Sequence, residues 1–242
     1  MEADAAHEAP RDSVRDASRA EDPARTAHTA RLNRLAVEFN LRLDRYIDPS
    51  WLPQDWPARY RDFAAFGARG RAVLARHLLM QSGLADRYAF GFGSLVARIA
   101  LIERSALTTL AAYCGLMLHR AWLQEAPNWR THSALVDAFG YNAMPFVLDR
   151  APPFDAIGES LEPFRQTPHA AVDAIRQRGA RLLLDFVAPE GDAIIERMRL
   201  KFARSVSEQP AYGLSPVHRQ HLAELIFLCL IPERLAQWDW LF

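Results

Sequence analysis

The segment from Ser94 to Gln124, SLVARIALIERSALTTLAAYCGLMLHRAWLQ, constrains the fold of this chain more than any other. Charges at Arg98, Glu103 and Arg104 interrupt its first half, and from Ala106 to Leu118 there is none. Leu95, Ile99, Ile102, Ala106, Thr109, Tyr113, Leu116 and Arg120 recur at spacings of three and four, with Leu101, Leu107 and Leu110 widening the stripe. That is the 3.6-residue period of a helix and not the alternation of a strand. A helix apolar around most of its circumference belongs inside a bundle. The expected fold is therefore all-α: an irregular multi-helix bundle around a central apolar helix, with a flexible N-terminal tail.

The tail is assigned to residues 1–30, which are rich in Ala, Asp, Glu and Arg and nearly devoid of large apolar side chains. Such a stretch cannot offset its ordering entropy by burial. Residues 31–242 are expected to form a single helical domain, with a possible subdivision near Arg150. From Thr29, the residues Leu32, Leu35, Phe39, Leu43 and Tyr46 mark an amphipathic helix, with Arg31, Arg34, Arg42 and Arg45 on a solvated face. Asp48-Pro49-Ser50 stops it. The aromatic cluster Trp51, Trp56 and Tyr60, set among Pro53 and Pro57, closes one end of a core or anchors a partner. Asp55 is placed as a helix cap and Ser94 as the cap of the central helix. A short helix is expected from Thr131 or Ser133 to Phe139, ended by Gly140. The proline-rich, apolar stretch from Tyr141 to Pro168 reads as short helices and turns wrapped on the bundle. Further helices follow over Ala170–Val187, Asp192–Val206 and His218–Ile231, the last opened by Ser215-Pro216. Trp238, Trp240 and Phe242 crowd the last five residues, which suggests an end tied down against the rest.

With 29 basic and 29 acidic residues the formal net charge is zero, so no whole-chain field favours nucleic acid. The basic runs Arg69, Arg71, Arg76 and Arg176, Arg178, Arg181 read as exposed helix faces. Only one basic residue is a lysine, Lys201. Cys114 and Cys229 sit in apolar helical text with no CxxC, and read as buried reduced thiols. Ala106–Leu118 is shorter than the roughly 20 apolar residues a bilayer span needs, so no direct membrane insertion is expected and the chain reads as cytoplasmic.

No catalytic signature is present. His218, His221 and Glu224 share helical spacing but lack the rest of a metal motif. Cys114 and His119 lie five apart and do not face each other on a helix. Glu103 reads as a paired acid. A helical enzyme or small-ligand binder would have to gather Glu103 with His119, or His218 with His221, in three dimensions. No cofactor is expected.

Phe39-Asn40 through Tyr46, followed by Pro49-Ser50-Trp51-Leu52-Pro53, resembles the N-terminal part of the SctK family of type III secretion accessory proteins, also called YscK or PscK. The segment Gly115–His119 is similar to that family's central Gly-Leu-x-Leu-His pattern, and Trp238-Asp239-Trp240-Leu241-Phe242 is similar to the ending of one of its branches. The resemblance implies a mainly helical, non-enzymatic adaptor of the secretion sorting platform. It implies as partners an SctQ-like pod protein and the cytoplasmic part of an SctD-like inner-membrane ring protein. The secretion ATPase and its regulator are indirect partners. The alternative interaction reading is a helical regulator of another system. The candidate structural or partner-contact residues are Phe39, Asn40, Tyr46, Trp51, Leu52, Trp56, His119, Trp238, Trp240 and Phe242. The matched positions among them are expected to maintain the fold.

Overall fold

Helix α1 (Pro23–Leu41) opens on a proline whose fixed φ suits a first turn. The computed structural model describes residues 23–125, 128–154, 157 and 159–242. The expected tail lies outside the described residues as far as Asp22, and α1 starts ahead of the predicted Thr29. A 3₁₀ turn at Leu43–Arg45 and another at Pro49–Trp51 lead to α2 (Ala58–Arg61) and α3 (Ala68–Gln81). An irregular connector then runs to α4 (Leu95–Ile99), α5 (Arg104–Leu118) and α6 (Arg120–Gln124). Next come α7 (Trp129–Phe139) and α8 (Ala143–Pro145), which passes into a π-helical turn at Phe146–Arg150. Helix α9 (Pro168–Val187) is the longest and lies at the centre. The chain finishes with α10 (Asp192–Arg199), α11 (Arg204–Ser207), α12 (Pro216–Glu224), a π segment at Leu225–Leu230, α13 (Ile231–Arg234) and a 3₁₀ helix at Ala236–Leu241. No strand occurs among the described residues. The fold is the all-α multi-helix bundle that the periodicity predicts.

The apolar stretch Ser94–Gln124 is not one helix. After Ile99 the backbone tightens into i→i+3 bonds, Leu101 N–H to Arg98 O at 2.9 Å and Ile102 N–H to Ile99 O at 3.2 Å. Glu103 is then extended, at φ −60° and ψ 156°, before α5 starts. The second break is at His119, φ −110°. The carbonyls freed at the first break are taken by Lys201, and Arg120 beyond the second break donates to Leu148 O and Ala151 O at 2.6 and 2.9 Å. Tertiary acceptors and donors have replaced intrahelical ones, which a periodicity cannot reveal. Most of the stripe is nonetheless core: Ile99, Ile102, Ala106, Leu107, Leu110 and Leu116 are buried, while Leu95 and Thr109 are exposed.

Other boundaries shift for local reasons. Asn128 Oδ1, not Thr131 or Ser133, caps α7 by accepting from Thr131 N–H at 3.0 Å. Asp55 is exposed and α2 has no side-chain cap. The predicted helix 192–206 is split between α10 and α11: past Arg199 the backbone tightens into i→i+3 bonds, Lys201 N–H to Met198 O at 3.0 Å and Phe202 N–H to Arg199 O at 3.1 Å, and the carbonyls of Leu200, Lys201 and Phe202 bond to other elements. Ser94 and Ser215 cap their helices as predicted, accepting from Val96 N–H at 3.1 Å and His218 N–H at 3.2 Å. Gly140 ends α7 at φ 89°. Cys114 and Cys229 are both buried and free, and burial pushes both thiols up.

The most extensive contact in the bundle joins α5 to α9. Its centre is a crossing of two glycines. A Cβ on Gly179 would overlap Ala111 O and stand 2.6 Å from Gly115 N; a Cβ on Gly115 would overlap Ile175 O and stand 2.9 Å from its carbon. The two backbones therefore touch directly, which only residues without side chains permit. Around this point Leu107, Leu110, Cys114, Ile175, Leu182 and Leu183 are buried. Gly179→Ala is expected to cost about 3 kcal/mol, since an overlap with backbone cannot be relieved by a rotamer change. Gly70→Ala on α3, where only the Phe66 side chain is close at 3.2 Å, should stay within about 1 kcal/mol of the wild type. Urea unfolding followed by circular dichroism distinguishes the two.

Candidate functional site

The candidate residues gather mainly at one end of the bundle, where α1, the 42–52 turns, the break after α4 and the end of α10 meet. Lys201 is at the centre. Its ammonium donates to Ala100 O at 2.7 Å and Ile102 O at 2.6 Å, and lies 5.3 and 5.1 Å from the ring centroids of Phe39 and Tyr46. Phe39 stacks on Tyr46 and meets Phe92 edge-on, and the Tyr46 hydroxyl donates to Phe39 O at 2.6 Å. Two carbonyls and two π-faces favour a cation here. Burial acts against it and brings the Lys201 pKa down to about 7, with Glu103 pulling the other way.

The three carbonyls that follow α10 are closed by donors from the 48–51 turn and from the start of α5. Leu200 O accepts from Asp48 N–H at 2.7 Å, Lys201 O from Arg104 Nε at 3.2 Å, and Phe202 O from Trp51 Nε1 at 2.8 Å. Asp48 also pairs with Arg104 and caps its own turn through Ser50 N–H at 2.9 Å. The Asp48-Pro49-Ser50-Trp51 sequence is thus a C-terminal cap for a helix far along the chain. Asn40 makes a second long-range tie. Its amide donates to Ala36 O at 2.8 Å and Ala89 O at 2.6 Å, and accepts from Ala89 N–H at 2.8 Å, clamping the connector to α1. Arg197, fully buried, donates to Leu84 O at 2.9 Å and to Arg87 O. Burial lowers its pKa.

The remaining candidates lie around this junction or away from it. Leu52 is buried. Trp56 stacks on His77 with centroids 5.8 Å apart. Trp238 lines a cavity of about 310 Å³ together with Phe39, Tyr46 and Lys201. Trp240 packs on α1, under the Arg31 guanidinium at 3.6 Å and against the His28 ring at 5.7 Å. Phe242 meets Phe227 at 5.3 Å, and Leu241 O accepts from Arg98 at 3.0 Å, so the chain end is tied down. Arg31 is therefore not simply a solvated charge, and Arg42 and Arg45 are paired with Asp44 and Glu38, each at 2.9 Å.

His119 lies elsewhere. It is buried, and its Nε2 is 3.2 Å from Arg178 Nη1. A guanidinium has no acceptor, so Nε2 accepts and the ring proton is on Nδ1. Burial, then Arg178, lowers the His119 pKa to about 4. Arg178 and Arg181 are not an exposed face: both clasp Glu159, at 2.7 and 2.6 Å, and Arg181 lies 3.7 Å over the Tyr212 ring. Arg69 and Arg76 are exposed as predicted.

The cavity offers no convergent set for catalysis. Its charges are engaged by neighbours: Glu38 with Arg45, Arg42 with Asp44, Arg104 with Asp48, and Glu103 with the Ser105 hydroxyl at 2.6 Å. Glu103 and His119 flank opposite ends of the 15-residue α5, about 24 Å apart at 1.5 Å per residue, so one reactive site cannot hold both. The His218 ring packs 6.4 Å from Phe154, and no group of three His, Cys, Asp or Glu among the described residues could hold a metal. Gly179 and Lys201 were not among the predicted site residues. The signals for them were a glycine inside helical text and a lone lysine in an arginine-rich chain.

Some large apolar side chains remain outside the core. Val37 and Leu41 on α1 and Tyr88 and Phe90 on the connector are exposed, Phe90 to 64%; Trp129 at the start of α7 and Tyr141 just past its end are exposed to 75% and 76%.

The buried bases set the pH response. For Lys201 the native state releases its proton near pH 7 and the unfolded chain near 10.5, so between these values the unfolded state holds more protons and stability rises with pH. The urea midpoint should climb from pH 7 to pH 9.5, and Lys201→Met, although less stable throughout, should lose that climb. For His119 the window runs from about 4 to 6.5, and stability falls as pH drops through it. His119→Gln should flatten this acid-side loss in the same titration.

The family model described as "YOP proteins translocation protein K (YscK)" matches residues 35–233. No curated protein and no solved structure matches the chain. The match spans the Asn40 clamp, the Asp48–Trp51 cap, both crossing glycines and Lys201. The chain belongs to the YscK, or SctK, family, the non-enzymatic adaptors of the type III secretion sorting platform.

Proposed function

We propose that this chain joins an SctQ-like pod protein to the cytoplasmic part of an SctD-like inner-membrane ring protein, with the secretion ATPase and its regulator reached through those partners. The observation that carries the reading is the family match over residues 35–233. The physical design supports it. An adaptor must hold two docking surfaces in fixed relation, and here long-range side-chain ties lock the irregular segments to the helices: Asn40 to Ala89, Arg197 to Leu84, Lys201 to Ala100 and Ile102. Exposed apolar side chains are offered in separate places, on α1 with its neighbouring connector and beside α7. Exposed aromatics on a rigid frame are the usual anchors of protein interfaces. No helix among the described residues is long and apolar enough to cross a membrane. We place the chain in the cytoplasm, peripheral to the inner membrane through its partners, and treat residues 31–242 as one domain.

The test is a three-component reconstitution. Purified SctQ and the SctD cytoplasmic domain from the same secretion system should co-elute on size exclusion only when the full chain is present. Failure of the chain to retain either protein, or displacement of one by the other, would contradict the bridging role.

A further inference from the structure

Between α1 and the connector ahead of α4 lies an open groove of about 440 Å³. Leu32, Ala36 and Val37 form its α1 wall, Phe90 and Phe92 the connector wall, and Arg98 contributes at its edge. Phe90 stays exposed because its backbone cannot relax: Asn40 holds the preceding residue, Ala89, at both its N–H and its C=O, and Phe92 O is held by Arg98 Nε at 3.0 Å. Tyr88 stacks beside Phe90 at 6.2 Å. A large ring fixed outward next to an apolar cleft is a preorganised contact, with the ordering cost already met by the fold.

The α1 side of this cleft is basic. From Pro23 to Val37, α1 carries Arg25, Arg31, Arg34 and His28 and no acid. Its first acid, Glu38, is held by Arg45 at 2.9 Å. Arg25 and Arg34 make no ion pair among the described residues. A second copy of the chain would present the same arginines to this wall in a two-fold interface, setting like charges together. Residues 1–22 of the chain itself are acidic, with seven Asp or Glu against three Arg, but beyond alanine they offer only Met1 and Val14 to an apolar cleft.

We infer that this groove docks an acidic, amphipathic segment of a partner protein. Its large apolar side chains enter between Val37 and Phe90, and its carboxylates meet Arg34, exposed next to Asn33 and one turn before Val37 on α1. This rests on the adaptor reading and assigns one of its two surfaces.

Phe90→Asp and Arg34→Glu, both at exposed positions and checked for unchanged melting, are titrated calorimetrically against purified SctQ and the SctD cytoplasmic domain. Each should weaken binding to the same one of the two at least tenfold and leave the other unchanged. Trp129→Asp, on α7, should not affect the partner that Phe90→Asp loses. With p-benzoylphenylalanine in place of Phe90, irradiation of the mixture should cross-link a partner peptide in which acids alternate with large apolar residues. Full binding by Phe90→Asp, or a cross-link to residues 1–22 or to a second copy, overturns the groove while leaving the adaptor reading standing. If the unmodified chain binds neither protein, the adaptor reading fails and the groove assignment falls with it.

Discussion

The direct contact of α5 with α9 at Gly115 and Gly179 is the constraint on which the rest of this structure depends. Two helices usually meet through side chains, 8–10 Å apart. Here each glycine accepts the other helix's backbone where a Cβ would stand, so the axes come closer and the flanking leucines interlock more deeply. Close packing of this kind gains dispersion energy from many weak contacts and tolerates little change in volume. Helices α4, α7, α10 and α11 then pack on α9. The position of the α1 end of the molecule follows, because α10 carries Arg197 and leads into Lys201.

The second requirement is set by how irregular the chain is. Short helices and bent connectors leave many carbonyls outside regular hydrogen bonding, and buried ones must find donors. Arginines meet much of that need. Arg98, Arg104, Arg120, Arg197 and Arg219 all donate to main-chain oxygens of distant segments. A long side chain with several donors can reach a carbonyl on another element while covering apolar surface with its stem. The arginine-rich composition, which on its own invites a nucleic-acid reading, is in part an internal scaffold. Lys201 does the same where the site is bounded by two aromatic rings. These ties fix surface loops that would otherwise move, and fixed loops with exposed rings are what an adaptor offers its partners.

The all-α class and the buried identity of the middle stretch were legible because apolar periodicity reports which face is inside. The Ser94 and Ser215 caps and the Gly140 stop were legible because they act within a few residues of themselves. The breaks at Ala100–Glu103 and His119 were not, since what stabilises them is Lys201, a hundred residues away, and the carbonyls near Ala151. Arg178 and Arg181 looked solvated because helical spacing gives a face but not what covers it; Glu159 covers this one. The residues carrying the family resemblance were readable as a set. Their reason for being a set, as a remote cap on α10 and a clamp on the connector, appears only in three dimensions.

The central claim is that the glycine crossing is the last part of the molecule to come apart. Native-state hydrogen exchange with mass-spectrometric readout measures this directly. Amides of Leu110–Leu118 and Ile175–Leu184 should exchange slowest, with the free energy of global unfolding and its dependence on urea, while α1 and the connector exchange through smaller openings. Exchange of the α5 and α9 amides through local openings of lower free energy than those protecting α1 would contradict it.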